Sequence, residues 1–160
     1  IFSEIESEIQ KKGIIPVRMS IMKPRFNLNP FLGKRDFLKT CLLIEYHYNM
    51  KGCADLANVI PIGVGVEGSA LKSKRIRIGD LRNLFKNGYA SWGYSSMDLQ
   101  IMKDLKSKIS VPIKDFANED RIIGILNIDT ACNLDKTPFK QEGFRNFLIS
   151  EAEAIAALTK

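Results

Sequence analysis

Residues 107–129 constrain the fold most strongly, because they have the pattern of two neighbouring strands joined by a short turn. From Ile109 to Ile113 every second residue is apolar, which predicts a strand with one buried face. The polar stretch 117–121 predicts the chain reversal. The second strand, Ile122–Asp129, carries a run of consecutive apolar residues and should be buried on both faces. Gly124 within it allows another backbone or a ligand to approach closely.

A second pattern lies upstream, where Gly63, Gly65 and Gly68 precede a short predicted helix that ends at Ser73. This spacing is similar to that of a dinucleotide or phosphate loop, which needs a preceding strand, a helix that opens at the last glycine and an acidic ribose partner. The sequence offers only the first two. The alternative is that the glycines shape a tight loop, and the open amides at the start of the helix could still receive an anionic group.

Together these segments resemble the GAF domain family. The family's Gly-rich loop, helix and strand match residues 60–80, its distal hairpin matches residues 107–129, and the resemblance covers roughly residues 59 to 160. It implies an α+β fold, a GAF-like (PAS-like) central antiparallel sheet of five to six strands with helices on both faces. We therefore expect one domain over residues 1–160. The departure from the family pattern is residues 23–36, which predict a loop longer than the usual tight hairpin.

The two ends of the chain have helical periodicity. Apolar residues recur at near-helical spacing in residues 1–13 and again in residues 144–160. The arrangement resembles the terminal helices through which GAF domains dimerise and pass signals to neighbouring domains. It implies a homodimer, and the alternative is a monomer that packs both helices on its own sheet.

The resemblance also implies a small-molecule cavity between the sheet and a lid segment rich in aromatic residues. The lid aromatics could stack on a planar ligand or could fill the space as core. The predicted ligand-binding residues are spread over the strands, the Gly-rich loop and the lid: Tyr46, Val64, Glu67, Tyr89, Trp92, Ile109, Asn127 and Asp129. The sequence does not identify the ligand or a cofactor.

No catalytic constellation emerges from the sequence. His47 is the only histidine and lies in an alternating strand, and the cysteines are Cys41, Cys53 and Cys132, with no CxxC pair for zinc. The resemblance includes one enzymatic branch, the free methionine-sulfoxide reductases, but this chain has Glu67 where that branch has a cysteine beside the loop glycine. Since a thiol redox cycle needs an attacking and a resolving sulfur, we expect no enzyme activity. Metal binding is not expected, and covalent bilin attachment lacks its lid cysteine.

Composition restricts the partners and the compartment. The formal net charge is +6, but aromatic residues do not alternate with the basic stretch as a nucleic-acid surface requires, so no nucleic-acid binding is expected. No apolar run is long enough to insert this segment into a membrane. An odd number of cysteines without pairing motifs predicts reduced thiols in a cytoplasmic protein. The chain begins with Ile1, so an upstream segment, including a membrane anchor, is compatible with the sequence.

The sequence therefore predicts a non-catalytic sensory or regulatory GAF-like domain that binds a small molecule and signals through terminal helices in a dimer. The alternative is a ligand-free interaction or dimerisation module whose cavity is filled by its own side chains. A third hypothesis is a small-metabolite enzyme related to the free methionine-sulfoxide reductases.

Overall fold

A computed structural model describes most of the chain, namely residues 1–14, 16–26, 40–50, 59–83, 92–94, 98, 100 and 102–159. Within these residues six strands form one antiparallel sheet. They are β1 (Val17–Phe26), β2 (Thr40–Tyr48), β3 (Ile60–Pro61), β4 (Arg77–Asp80), β5 (Ser107–Lys114) and β6 (Ile122–Thr130). Their order across the sheet is β3-β2-β1-β6-β5-β4, and each neighbouring pair is antiparallel. The predicted fold class is confirmed.

Three α-helices accompany this sheet in the described residues: α1 (Phe2–Gln10), α2 (Gly65–Ser73) and α3 (Glu142–Leu158). Short 3-10 helices span Leu81–Asn83, Leu134–Lys136 and Pro138–Lys140. The helices predicted at both chain ends and after the Gly-rich loop are present, with ends shifted by a few residues. None of the helices in the described part of the chain is long and apolar enough to cross a lipid bilayer.

The helices cover both faces of the sheet. On one face, α1 and α3 pack on alternate residues of the central strands, and Ile109, Leu126 and Phe139 are fully buried there. On the other face, α2 packs against β4, β5 and β6. Because side chains alternate between faces along a strand, the residues between those core positions point toward α2. The buried ionisable side chains Glu67, Lys108 and Asp129 lie on this α2 face.

The central hairpin departs from its prediction in one strand. Strand β6 is buried along Gly124–Thr130, as its apolar run indicates. Strand β5 was expected to expose its polar face, but every residue from Ser107 to Ile113 is buried. The reason is that α2 covers the face of β5 that carries Lys108 and Ser110, so the polar half of the alternation faces a second protein layer rather than solvent.

The first hairpin is also longer than expected. The loop was predicted from residue 23, but β1 runs to Phe26 and pairs with β2 down to Thr40. Pro24 fits within β1 because pairing with β6 ends at Met22, so this part of the strand does not need that backbone N–H for a second neighbour. The remainder of the predicted loop lies outside the described residues.

Candidate functional site

A buried ion pair lies between the sheet and α2. The Nζ atom of Lys108 on β5 is 3.1 Å from Oε1 of Glu67 on α2, and their side chains are only 5% and 1% exposed. The same ammonium lies 4.0 Å from Oδ2 of Asp129 on β6. Alternation along β5 directs Lys108 toward α2, and α2 places Glu67 in its first turn. One cation therefore lies between two carboxylates in a region with little solvent.

A second ion pair connects this cluster to β1. Arg18 donates from Nε to Oδ1 of Asp129 at 2.7 Å and from Nη2 to Oδ2 at 3.2 Å, a bidentate arrangement. Antiparallel pairing of β1 with β6 sets Arg18 opposite Asp129 in register. Asp129 is thus shared between a fixed guanidinium and the Lys108 ammonium.

Tyr94 connects the cluster to the start of α2. Its hydroxyl donates to Oε2 of Glu67 at 3.0 Å and accepts a hydrogen bond from the backbone N–H of Val66, also at 3.0 Å. Gly65 makes this contact possible, because a Cβ there would lie 2.6 Å from the Tyr94 ring and its φ is +69°. The two oxygens of Glu67 are therefore both bonded, one to an ammonium and one to a phenol.

These charged groups line a small cavity of about 20 Å³. A cavity of roughly 10–15 Å³ is enough for one water molecule, so this space is of that size. Five apolar side chains line one part of it: Met22, Ile44, Met50, Ile60 and Met102. The polar members are Ser20, Glu67, Tyr94, Lys108, Asn127 and Asp129. Asn127 Oδ1 also accepts a hydrogen bond from Ser110 Oγ at 2.6 Å.

Burial and the neighbouring carboxylates shift two ionisations in the cluster. Burial alone lowers the pKa of Lys108, but Glu67 and Asp129 outweigh it, and the net shift of the pKa is upward. Burial raises the pKa of Tyr94 well above its ordinary value, and the charge of Glu67 adds to that shift. At neutral pH the site therefore holds a charged ammonium and a neutral phenol.

The Gly-rich loop is occupied by internal hydrogen bonds. The N–H of Gly63 donates to Gly68 O at 2.8 Å, that of Gly65 to Trp92 O at 2.6 Å, and that of Gly68 to Val64 O at 3.0 Å. A Cβ on Gly68 would lie 2.4 Å from Pro61 O. The glycines thus permit close packing, which favours the structural interpretation of the loop over a phosphate cradle.

The structure brings together some of the predicted ligand-binding residues. Glu67, Asn127 and Asp129 line the cavity. Val64 and Trp92 are half-buried and pack around Tyr94 in the adjoining apolar cluster.

Two predicted residues lie on the opposite face of the sheet from this cavity, and a third falls outside the described residues. Ile109 is fully buried on the opposite face, in the core formed with α1 and α3, because Lys108 beside it takes the α2 face. Tyr46 is 51% exposed and also lies on the terminal-helix side. A β-bulge causes this: Met22 pairs with Ile44 but Ile21 pairs with Tyr46, so one extra residue reverses the face. Tyr89 lies outside the described residues.

Two residues central to the site were absent from the predicted set, Lys108 and Tyr94. The available signal was the polar half of the β5 alternation. Strand β5 lies between β6 and β4, so it is not an edge strand. When a helix such as α2 packs on an inner strand, the polar residues of that strand are buried as well as the apolar ones. Arg18 lies directly opposite Asp129 on β1, so a prediction that β1 pairs with β6 would have pointed to it.

Comparison with solved structures supports the fold. The type II free methionine-R-sulfoxide reductase from Thermoplasma acidophilum superposes with a TM-score of 0.59 at 16% identity, over 98% of this chain and 89% of that one. The fRMsr of Staphylococcus aureus in complex with substrate gives 0.55 at 21% identity, over 89% and 71%. The GAF domain of a two-component sensor histidine kinase from Bacillus halodurans gives 0.51 at 17% identity, over 100% and 99%.

This chain therefore has a GAF-like fold, a fold shared by its sensor-domain and reductase neighbours. No protein-family model matches the sequence. No curated protein matches it either. At these identities the likeness establishes the architecture alone.

Proposed function

We propose that this chain is a non-catalytic regulatory domain that binds a small polar molecule between the sheet and α2 and signals through α1 and α3 in a homodimer. The observation that carries the proposal is the buried cluster of Glu67, Lys108 and Asp129, with Tyr94 bonded to it. A buried ion pair contributes little net stability compared with apolar packing, because desolvation offsets most of the attraction. Buried ionisable groups around a cavity are typical of functional sites.

The lining defines the chemistry of the ligand. Lys108 offers a cation to an anionic or carbonyl group, and Glu67 with Asp129 offers acceptors to a cationic or N–H group. A small molecule with both kinds of group, such as a zwitterion, would replace the internal pair on both sides. Because the cavity now has the volume of about one water, binding requires the Lys108–Glu67 pair to open. Binding is therefore coupled to a conformational change, as a sensor requires.

The Asp129–Arg18 pair provides a contact between the site and β1, which follows α1 in the chain. A ligand that attracts Asp129 or Lys108 would alter this pair. The α1 helix is held to the same end of the β1–β2 hairpin, since Tyr48, which pairs with Met19, donates to Glu6 at 2.6 Å. We suggest this route for the signal because both ends of it are hydrogen-bonded.

Thermal denaturation with a panel of amino acids, nucleotides and carboxylic acids tests the proposal. We expect one class of compound to raise the melting temperature of the wild-type protein and to have no effect on the variant Glu67→Gln/Lys108→Met. The matched control is Asp80→Asn, which breaks an ion pair with Arg82 outside the cavity and should keep the response. A ligand that stabilises the Glu67→Gln/Lys108→Met variant equally would contradict the assignment of the site.

A second candidate function is a ligand-free interaction module. It is favoured by the small cavity volume, since the protein's own side chains already fill most of the space. It is also favoured by an apolar groove of about 250 Å³ at the terminal helices, lined by Phe2, Tyr46, Ile155 and Leu158 among others. Leu158 is 77% exposed there.

The two candidates share the prediction of a dimer, and light scattering after gel filtration tests it. We expect Leu158→Glu to shift the protein toward monomer, because it places a charge in the apolar groove. Ile149→Glu is the matched control, since Ile149 is 41% exposed on the same helix but outside that groove. A wild-type protein that is monomeric at all tested concentrations would remove the dimer from both candidates.

An enzymatic role has less support from the geometry. Neither Cys41 nor Cys132 lines the cavity, and Cys53 lies outside the described residues. Burial raises the pKa of the Cys41 thiol, which disfavours the nucleophilic thiolate. We therefore propose that the site binds its ligand without transforming it.

A further inference from the structure

A second groove lies at the edge of the sheet, on the side away from the buried ion pair. Strand β4 pairs with β5 only from Arg77 opposite Ser110 to Asp80 opposite Ser107. Strand β5 continues for four more residues, so its edge from Val111 to Lys114 extends past the end of β4. Helix α3 borders this part of β5, with which no strand of the described residues pairs, and the groove between them has a volume of about 260 Å³.

The floor of this groove is apolar. It is lined by Ile76, Val111, Pro112, Ile149 and Ala152. Ile149 is 41% exposed, so its side chain adds accessible apolar surface next to the groove. Among the described residues no aromatic side chain lines the groove, so it suits an aliphatic side chain better than a stacked base.

The rim of the groove is basic. Lys74, Arg75 and Lys114 line it, against a single carboxylate from Glu153. No carboxylate oxygen lies within 4.0 Å of the Arg75 guanidinium in the described part of the chain. This leaves at least one rim cation available to a partner.

The other two cations have weak internal partners. The Nζ atom of Lys74 lies 3.6 Å from Oδ1 of Asp120, and the Nζ atom of Lys114 lies 3.8 Å from Oε2 of Glu119. Both carboxylates belong to the β5–β6 turn and are 94% and 85% exposed, so these pairs contribute little and can be exchanged. The turn itself shows that carboxylates can reach these lysines.

We propose that this edge groove binds an acidic segment of a partner protein, with one aliphatic side chain seated on the floor and carboxylates on Lys74, Arg75 and Lys114. The partner is assigned from charge complementarity and from the apolar floor. Pro112 has no backbone N–H to offer at the open edge, so the segment docks through its side chains rather than as an added strand. This proposal does not depend on ligand binding at the Lys108–Glu67 site.

Fluorescence anisotropy with a labelled eight-residue peptide tests the proposal. The peptide has one central leucine flanked by glutamates, and two matched peptides replace the leucine by serine or the glutamates by glutamines. We expect the acidic leucine peptide to bind the wild-type protein, and the serine and glutamine peptides to bind more weakly. Added salt should weaken the binding of the acidic leucine peptide, because it screens the ion pairs. We expect Lys74→Glu/Arg75→Glu to weaken the binding of the acidic leucine peptide about tenfold, which corresponds to losing two exposed ion pairs. We expect Ile149→Ser to weaken this binding by about the same factor, because one buried aliphatic contact is lost.

The charge-matched control is Lys12→Glu/Lys136→Glu, in which both cations are exposed and lie outside the groove. It has the same net charge as the first groove variant and should bind like wild type. Circular dichroism verifies that each variant is folded. The proposal is overturned if the peptide does not bind at low ionic strength, if the control loses as much affinity as the groove variant, or if the serine peptide binds equally well.

Discussion

Replacement of Lys108 by methionine isolates the central interaction of the site. The substitution keeps a long side chain but removes the ammonium 3.1 Å from Glu67. Glu67 then retains a single hydrogen-bond donor of those described, the Tyr94 hydroxyl, and its carboxylate is 1% exposed. Breaking a buried ion pair by removing one partner costs about 3–5 kcal/mol, because the other charge stays buried without compensation. We expect Lys108→Met to lose stability of this order at neutral pH.

The double variant Glu67→Gln/Lys108→Met distinguishes an uncompensated charge from simple loss of packing. It removes both charges, so no unpaired charge stays buried. A packing defect at residue 108 would persist in this double variant.

Urea denaturation followed by circular dichroism at pH 7 measures the effect. The double variant should recover part of the stability lost by Lys108→Met. Lys106→Met is the matched control, because Lys106 is exposed two residues earlier in the chain and should change stability by less than about 0.5 kcal/mol. An uncompensated charge is ruled out if Lys108→Met costs no more stability than Lys106→Met, or if Glu67→Gln/Lys108→Met recovers none of the lost stability.

Three further predictions follow from the same contacts. Tyr94→Phe removes the hydroxyl that bonds both Glu67 and the Val66 N–H, and chemical denaturation should show a loss of about 1–3 kcal/mol; a neutral effect would mean that this hydroxyl is not buried. Gly65→Ala should lower the melting temperature and change the near-ultraviolet signal of Tyr94, because the new Cβ meets the ring and φ is positive. The pKa values of Tyr94 and Lys108 are raised in the folded state. Their contribution to stability is therefore fully present below the ordinary pKa values of 10.0 and 10.5. Stability should therefore fall as the pH rises above about 10, and Tyr94→Phe should reduce that fall.

The sequence was sufficient for the sheet and its helices because periodicity reports burial directly. The apolar run of β6 predicted a strand covered on both sides, and the helical spacing at residues 1–13 and 144–160 predicted α1 and α3. The face of Tyr46 could not be predicted in this way. It depends on a bulge that shifts the β1–β2 register by one residue, and no residue in β2 signals that shift.

The site was predicted only in part for a related reason. Glu67, Asn127 and Asp129 were found because they lie in the Gly-rich loop and the β6 strand. Lys108 was not among the predicted site residues, and a lysine in an alternating strand is normally on an exposed face. Its burial depends on α2 crossing that face and on Glu67 being there to pair with it, and both are properties of the tertiary structure.

Native mass spectrometry of the protein purified from its own host shows whether the cavity beside Lys108 holds a ligand. We expect one small molecule per chain, carried by a dimer, released on denaturation and absent from Glu67→Gln/Lys108→Met. The released compound should carry both an anionic or carbonyl group and a cationic or N–H group. A wild-type protein with no added mass, in a preparation where no compound of the thermal panel stabilises it, would contradict ligand binding at this site.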